Sequence, residues 1–367
     1  MIKNKKKISL FIPTLDGGGA EKIVLTLANS FVARGYQVDL IVIKSGGKFY
    51  QQLDSSVNII NLNCSRIIFC FFSLIDYLNK NKPDIFLSSL THSNIISIIA
   101  SLFSKVKTKV IVIEHSLKTK LFKNLNFKNR LIDLLMLVIY PKAYRIIAVS
   151  KDVAKNISMR SGVQLSKIET IYNPIVSNSI LLKSKVKINH PWFLEGQPDV
   201  ILSVGRLTEE KNFSLLIRAF ANVRSKHNVR LLILGEGKLR SQLTSLASKL
   251  GVEKDFSMPG FVENPYAYMS RASLFVMSSD YEGFGNVLVE AMACGAPVIS
   301  TNCPGGPGEI LENGLWGKLV PVANLDVLTD TILKTLNEKN HPNSFKRASD
   351  FKIDIKVEEY IKLMFKD

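Results

Sequence analysis

Cysteine and histidine are scarce in this chain. Its 367 residues include four cysteines (Cys64, Cys70, Cys294 and Cys303), none in a C-x-x-C pair, and five histidines. That excludes a disulfide framework, argues against a structural zinc site and fits a reducing cytosol. Long apolar runs are missing too. The longest, IIFCFFSLI (67–75) and LLMLVIY (134–140), fall far short of the roughly 20 residues that span a bilayer. The start, MIKNKKKISLFIPTLDGGG, is basic and then apolar, but Pro13 and Asp16 break the apolar stretch and no small-residue cleavage site follows. It reads as a basic lead-in to a first strand, not as a signal peptide. No D-x-D sequence, internal repeat or low-complexity tract occurs.

Acidic residues are short in one half only. Residues 1–190 carry 28 Lys and Arg against 10 Asp and Glu; residues 191–367 carry 20 against 21. The net charge of +17 therefore belongs to the first half, which points to an anionic partner, nucleic acid or an acidic membrane surface. No stacking-aromatic or helix-turn-helix pattern supports nucleic acid.

What is present is an alternation of strands and helices, long enough for two domains. In the first half KISLFIPTL, QVDLIVIK, VNIINLN, PDIFLSS, KVIVIEHS and YRIIAVS read as strands. Val24, Leu27, Ala28, Phe31 and Val32 form a helical stripe that Gly35 stops. Strands apolar almost throughout and separated by helices predict a parallel sheet covered on both faces. The pattern lapses around 173–198, where the domain boundary is placed, and restarts with VILSVGRL, VRLLILGEG, FSMPGFV, ASLFVMSS, APVISTN and GKLVP. The expectation is two doubly wound α/β domains facing each other across a cleft: residues 1–175, residues 198–348, and a terminal helix over 349–367 packing back toward the first. Ligands of such sheets bind at the carboxyl ends of the strands, so the loops there are the places to search.

LDGGGAEK (15–22) follows the first strand and opens the first helix, where exposed amides favour an anion. Lys22 stands where a dinucleotide fingerprint needs its third glycine, and the second strand ends at Lys44 without a ribose-binding acid, which disfavours NAD. A flexible turn is the plain alternative. In SVGRLTEEKN, Arg206 ends a strand and Lys211 precedes a helix; two cations there suit a diphosphate, or simply a solvated loop. LGEG places Gly235 and Gly237 around Glu236 in the same position one strand later. DYEGFGNVLVEAMACGAPVI (280–299) carries Glu282 on a glycine-rich loop and Glu290 on the helix that follows, with Asn286 as expected N-cap. Carboxylates so placed address two parts of one extended ligand; each suits the vicinal diol of a ribose or sugar.

Taken in order, SVGRLTEEKN, LILGEG, GFVENPYAYMSRASLFVMSS, EGFGNVLVEAMACGAPVIS and TNCPGGPGEILENGLWG over residues 200–320 resemble the donor domain of retaining glycosyltransferases of family 4, with the GT-B fold. The first half matches more loosely through GGGAEK, EHS, AVSKDVA and IYNPI. The resemblance implies roles by position. Arg206 and Lys211 neutralise the nucleotide diphosphate. Glu290 holds the ribose hydroxyls and Glu282 touches the donor sugar. Gly283, Phe284, Gly285 and Asn286 offer backbone donors, with Gly235 nearby. Gly18 and Gly19 lie near the leaving phosphate, and His115 approaches the donor sugar. On its own His115 is equally consistent with a satisfied core histidine, and His92 is the weaker candidate. GGGAEK and CPGGPGEIL resemble the bacterial subset acting on undecaprenyl-diphosphate intermediates.

The expected activity is metal-independent, retaining transfer of a hexose or N-acetylhexosamine from a UDP-sugar co-substrate to a lipid-linked glycan. No cofactor is expected. The product would be a cell-surface polysaccharide such as O-antigen, capsule or lipopolysaccharide. The expected location is peripheral, on the cytoplasmic face of the membrane. Lys3, Lys5, Lys6, Lys7 and the basic, then apolar, stretch 118–145 are the expected contacts with anionic lipid. A catalytically inactive complex subunit and a sugar-nucleotide epimerase are the alternatives; the set Arg206, Lys211, Glu282 and Glu290 argues against the epimerase.

Overall fold

The β-branched runs of the first half become a parallel sheet because almost every strand residue is covered on both faces. The computed structural model describes residues 5–117 and 127–366; Lys3 and residues 118–126 of the expected lipid-facing stretches lie outside them. The strands are β1 (Lys7–Phe11), β2 (Gln37–Val42), β3 (Asn58–Asn61), β4 (Ile85–Ser89), β5 (Lys109–Glu114), β6 (Arg145–Ala148) and β7 (Ile168–Thr170), ordered β3-β2-β1-β4-β5-β6-β7. Between them run α1 (Gly19–Ala33), α2 (Phe71–Asn81), α3 (Thr91–Phe103), α4 (Phe127–Ile139) and α5 (Lys151–Ser161). In α1 the stripe Val24, Leu27, Ala28 and Phe31 is buried, while Val32 is only partly so. Gly35 ends the helix at φ +82°, its N–H donating to the Val32 carbonyl at 2.8 Å.

The second sheet runs β8 (Asp199–Val204), β9 (Val229–Leu234), β10 (Phe256–Gly260), β11 (Leu274–Met277), β12 (Val298–Thr301) and β13 (Lys318–Val320), ordered β10-β9-β8-β11-β12-β13. Its helices begin with α6 (Asn178–Ser184), α7 (Phe213–Arg224), α8 (Arg240–Lys249), α9 (Tyr266–Met269) and α10 (Asn286–Ala293). Phe213, Leu216, Ile217, Phe220 and Val223 of α7 pack with Leu231 and Ile233 of β9 to make the core of this unit. In both sheets the order reverses direction beside the first strand: between β1 and β4, and between β8 and β11. Those switch points are where loops leave room for a ligand.

The chain divides into Met1–Pro174 with Ile353–Asp367, and Ile175–Lys352. The second unit thus begins at 175, not at 198, because side chains tie α6 to it. Asn264 Nδ2 donates to the Lys183 carbonyl at 2.9 Å, and Arg271 Nη1 to that of Ser184 at 3.0 Å. The helix Ile353–Met364 belongs to the first unit. Asp354 pairs with Arg34 at 2.7 Å, and Phe365 stacks on Tyr36 at 5.7 Å.

Candidate active site

In the second unit the loops after β8 and β11 flank the switch point and are stitched together. Ser278 Oγ donates to the Lys211 carbonyl at 2.9 Å, the Asp280 N–H to the Glu210 carbonyl at 2.9 Å, and Asn212 Nδ2 to Asp280 Oδ1 at 2.8 Å. Asn212 sits at φ +43° and caps α7 by accepting from the Leu215 N–H. Asparagine tolerates that left-handed backbone better than most residues do, so the cap and the turn come from one side chain.

This stitching brings Lys211 to Glu282. Lys211 Nζ lies 2.5 Å from Glu282 Oε1, with both side chains largely covered (17% and 11% exposed). Ser279 Oγ donates to the same oxygen at 2.7 Å, and the Glu282 N–H donates to the Pro304 carbonyl at 3.0 Å. An ammonium has three donors, so the pairing fixes Nζ and leaves donors for an anion. Arg206 stays open: its side chain is 74% exposed and meets Glu210 only at 3.7 Å. The loop therefore presents one braced cation and one extended cation.

The glycine-rich loop differs from the sequence expectation at its end. Gly285, at φ +101°, caps α10, and Asn286 is the first helical residue. At φ +101° the cap position favours glycine over any residue with a Cβ. Glu290 then falls in the second turn, 5% exposed, with Tyr266 Oη approaching its Oε1 at 3.5 Å. Phe284 turns inward, 3% exposed, and its ring packs on that of Phe351 at 5.5 Å, so it anchors the loop. Gly235 gives its N–H to the Gly260 carbonyl at 2.8 Å. Its donor is therefore engaged within the sheet, and its contribution is to let the Gly205–Arg206 loop lie against it.

Neither cysteine of this region is a ready nucleophile. Burial first, and the Glu282 charge second, push the Cys303 thiol up to about 12; burial and Glu290 do the same to Cys294. A protonated thiol attacks poorly. Among the described residues, no group of three His, Cys, Asp or Glu side chains is placed to hold a metal ion.

In the first unit, Gly18 is the N-cap of α1 and Gly19 its first residue. The Gly17 and Gly18 N–H groups both donate to Glu21 Oε2 at 2.7 Å, and Thr14 Oγ1 donates to Oε1 at 2.9 Å. The Gly18 amide assigned to a phosphate thus faces a carboxylate of its own helix in this structure. At the other side of the switch point, Leu90 follows β4 at φ +78°, a strained backbone for a branched side chain. His115 follows β5, its Nε2 3.4 Å from Ser89 Oγ. The preceding Glu114 is buried and receives hydrogen bonds from Thr91 (2.9 Å), Asn94 (2.9 Å) and Tyr140. Burial raises its carboxyl pKa against those bonds. His92 is exposed at the start of α3.

Burial pushes the His115 pKa down from 6.5 to about 4, so the ring is neutral at pH 7 and able to accept or donate a hydrogen bond without charge. The unfolded chain protonates this ring near 6.5 and the folded chain not until about 4. Its contribution to stability therefore falls as pH drops from 6.5 to 4 and is level above 6.5. His115→Gln should flatten the pH dependence of Tm across that window; an unchanged slope would refute a neutral, covered ring.

Two family models match the chain: "Glycosyltransferase Family 4" over residues 17–178 and "Glycosyl transferases group 1" over residues 185–350. One Campylobacter jejuni relative is an N-acetylgalactosamine-N,N'-diacetylbacillosaminyl-diphospho-undecaprenol 4-alpha-N-acetylgalactosaminyltransferase, 30% identical with 94% of each chain covered. A second from that organism is an alpha-1,4-N-acetyl-D-galactosaminyltransferase acting on a GalNAc-containing PP-undecaprenol glycan, 28% identical over 98% of each chain. Among solved structures, Anabaena HepE in complex with UDP and glucose superposes with a TM-score of 0.78 at 19% identity, covering 98% of this chain and 99% of that one.

Proposed function

This chain belongs to glycosyltransferase family 4, and on that footing we propose that it moves a sugar, best an N-acetylhexosamine, from UDP to an undecaprenyl-diphosphate-linked glycan. The observation that carries the reading is the pair of stitched loops at the second switch point. It supplies a braced lysine, an extended arginine and a carboxylate within one short stretch of surface. Arg206 and Lys211 stabilise the negative charge that builds on the departing diphosphate. Glu282 orients the donor sugar, Glu290 holds the ribose, and the Gly283–Asn286 stretch supplies backbone donors.

The sugar C1–phosphate oxygen bond breaks while an acceptor hydroxyl oxygen bonds to C1 from the same face, which retains configuration. The hydroxyl proton passes to the departing phosphate, so no protein nucleophile is needed, in keeping with the protonated thiols. With two cations beside the diphosphate, the reading has no need of a bound metal. The relatives that act on undecaprenyl diphosphate support the acceptor class, and HepE, solved with UDP and glucose, supports the nucleotide.

The product would enter a cell-surface polysaccharide: O-antigen, capsule or lipopolysaccharide. The acceptor places the reaction at the inner face of the cytoplasmic membrane. No helix among the described residues is long and apolar enough to cross one, so the association would be peripheral. The excess of Lys and Arg in residues 1–190 supports it, as do Leu131, Leu134, Leu137 and Val138, left exposed on α4.

A panel of UDP, GDP, ADP, CMP and NAD⁺ tests the donor. A ligand of the native state at about 100 times its Kd stabilises by about 2.7 kcal/mol, which for units of this size raises Tm by several degrees. UDP alone should do so. A shift with GDP or ADP would replace the donor, and no shift with any nucleotide would point to an inactive subunit.

A further inference from the structure

The opposite end of the first sheet carries a basic feature unconnected with the switch point. Ser101, Lys107, Thr108, Lys109, Lys142 and Tyr144 border an open depression of about 260 Å³ at the amino ends of β5 and β6. His115 lies six residues beyond Lys109, about 20 Å along β5. Among the described residues no carboxylate pairs with Lys107, Lys109 or Lys142. Ion pairs within this unit join other residues: Lys7 to Asp39, Arg34 to Asp354, Lys80 to Asp76, Lys155 to Asp152, Arg160 to Asp133 and Lys356 to Glu359. Lys109 Nζ instead lies 4.8 Å above the Tyr144 ring. The Thr108 hydroxyl in the wall has no partner in the protein.

Helix α3, which supplies Ser101 to the wall, ends in apolar surface. Leu102 and Phe103, next after Ser101, are 55% and 69% exposed. The Phe103 ring meets Phe71 at 5.7 Å, and Phe71 meets Phe72 at 5.0 Å. Phe72 is 77% exposed, and Ile68 and Phe69 on the preceding turn are 65% and 61% exposed. Single exposed apolar residues are ordinary; a run of rings in contact beside unpaired lysines is not. A free anion would use the lysines and leave the rings in water. A phosphate carried on an acyl chain uses both.

We propose that this three-lysine depression takes the phosphate of an anionic lipid headgroup while Phe72 and Phe103 enter the acyl border. The inference rests on the lipid-linked-acceptor reading only in expecting a bilayer within reach. Sedimentation of the full chain with phosphatidylcholine vesicles, with and without phosphatidylglycerol, tests it. We expect binding about tenfold tighter or more with the anionic lipid, since each basic side chain near such a surface adds to the attraction. Lys107→Glu/Lys109→Glu/Lys142→Glu should abolish that preference. Lys183→Glu/Lys185→Glu/Lys187→Glu, equal in charge change but on the second unit, should keep it within about twofold. Phe72→Ser/Phe103→Ser should lose the binding that survives in high salt, where charge is screened.

Equal losses in the two charge reversals would overturn the proposal in favour of diffuse attraction. So would inorganic phosphate that displaces the protein from the vesicles at low concentration. UDP-sugar hydrolysis without vesicles should match wild type in every variant. If the wild type hydrolyses no UDP-sugar yet binds vesicles as described, the donor reading fails and this one stands.

Discussion

Lys211→Ala is expected to lower kcat/KM for sugar transfer by about 10²–10³-fold, the loss usual when one preorganised donor is removed from a developing anion. The expectation follows from how the ammonium is held. Its side chain is largely covered, its carbonyl accepts from Ser278, and Glu282 fixes Nζ at 2.5 Å. A cation braced in this way need not reorganise when charge appears on the diphosphate, which is what separates it from a solvated lysine. Glu282→Gln should lower transfer by a similar factor, but for another reason. If Glu282 addresses the sugar, UDP affinity stays within a few-fold of wild type while transfer of the sugar fails. If UDP affinity falls equally in both variants, Glu282 serves as the brace for Lys211 and not as a sugar contact. UDP titration by calorimetry alongside a UDP-sugar transfer assay separates the two. Full activity in either variant would remove this loop pair from the donor site.

The fold was readable from the sequence to the extent that burial is two-sided. Runs such as VIVIE and RLLIL announce covered parallel strands without ambiguity, and all twelve strand stretches singled out became strands. The missing one, β7, has three residues, Ile168, Glu169 and Thr170, too few to show a period. Helix α6 was missed because it is held by Asn264, Ser270 and Arg271 from distant sequence, not by its own pattern. That miss also displaced the domain boundary.

At the site, residue types at strand ends were legible and their partners were not. Lys211 and Glu282 are 71 positions apart, and nothing local says that they meet. Asn212 and Asp280 escaped notice for the same reason, although an asparagine immediately before the apolar run of α7 is an N-cap signal. Asn286 was preferred over Gly285 as cap by composition, and the left-handed φ of Gly285 reversed that order.

Gly235→Ala is expected to destabilise the second unit by about 3–5 kcal/mol, combining backbone strain with overpacking. Its φ is +147°, and a Cβ built there would lie 1.9 Å from the Gly205 carbonyl oxygen. That oxygen belongs to backbone already pinned, since the Gly205 N–H donates to the Leu234 carbonyl at 3.0 Å and the Leu207 N–H to that of Glu236 at 2.9 Å. The neighbouring strand cannot yield without breaking the ladder that positions Arg206. A loss of this size lowers Tm by roughly 6–20 °C for a domain of about this length. Gly205→Ala is the internal control. Its Cβ would meet the Phe213 ring at 3.4 Å and the Lys211 stem at 3.6 Å, both ordinary contacts with side chains, with no positive φ to strain, and should shift Tm far less. Thermal melts of the two variants, with UDP titrated into whatever remains folded, decide what the glycine is for. A stable Gly235→Ala protein that merely loses UDP would make it a ligand contact. A protein that melts early, yet binds UDP normally at low temperature, would make it the spacer against which the loop that carries Arg206 and Lys211 is laid.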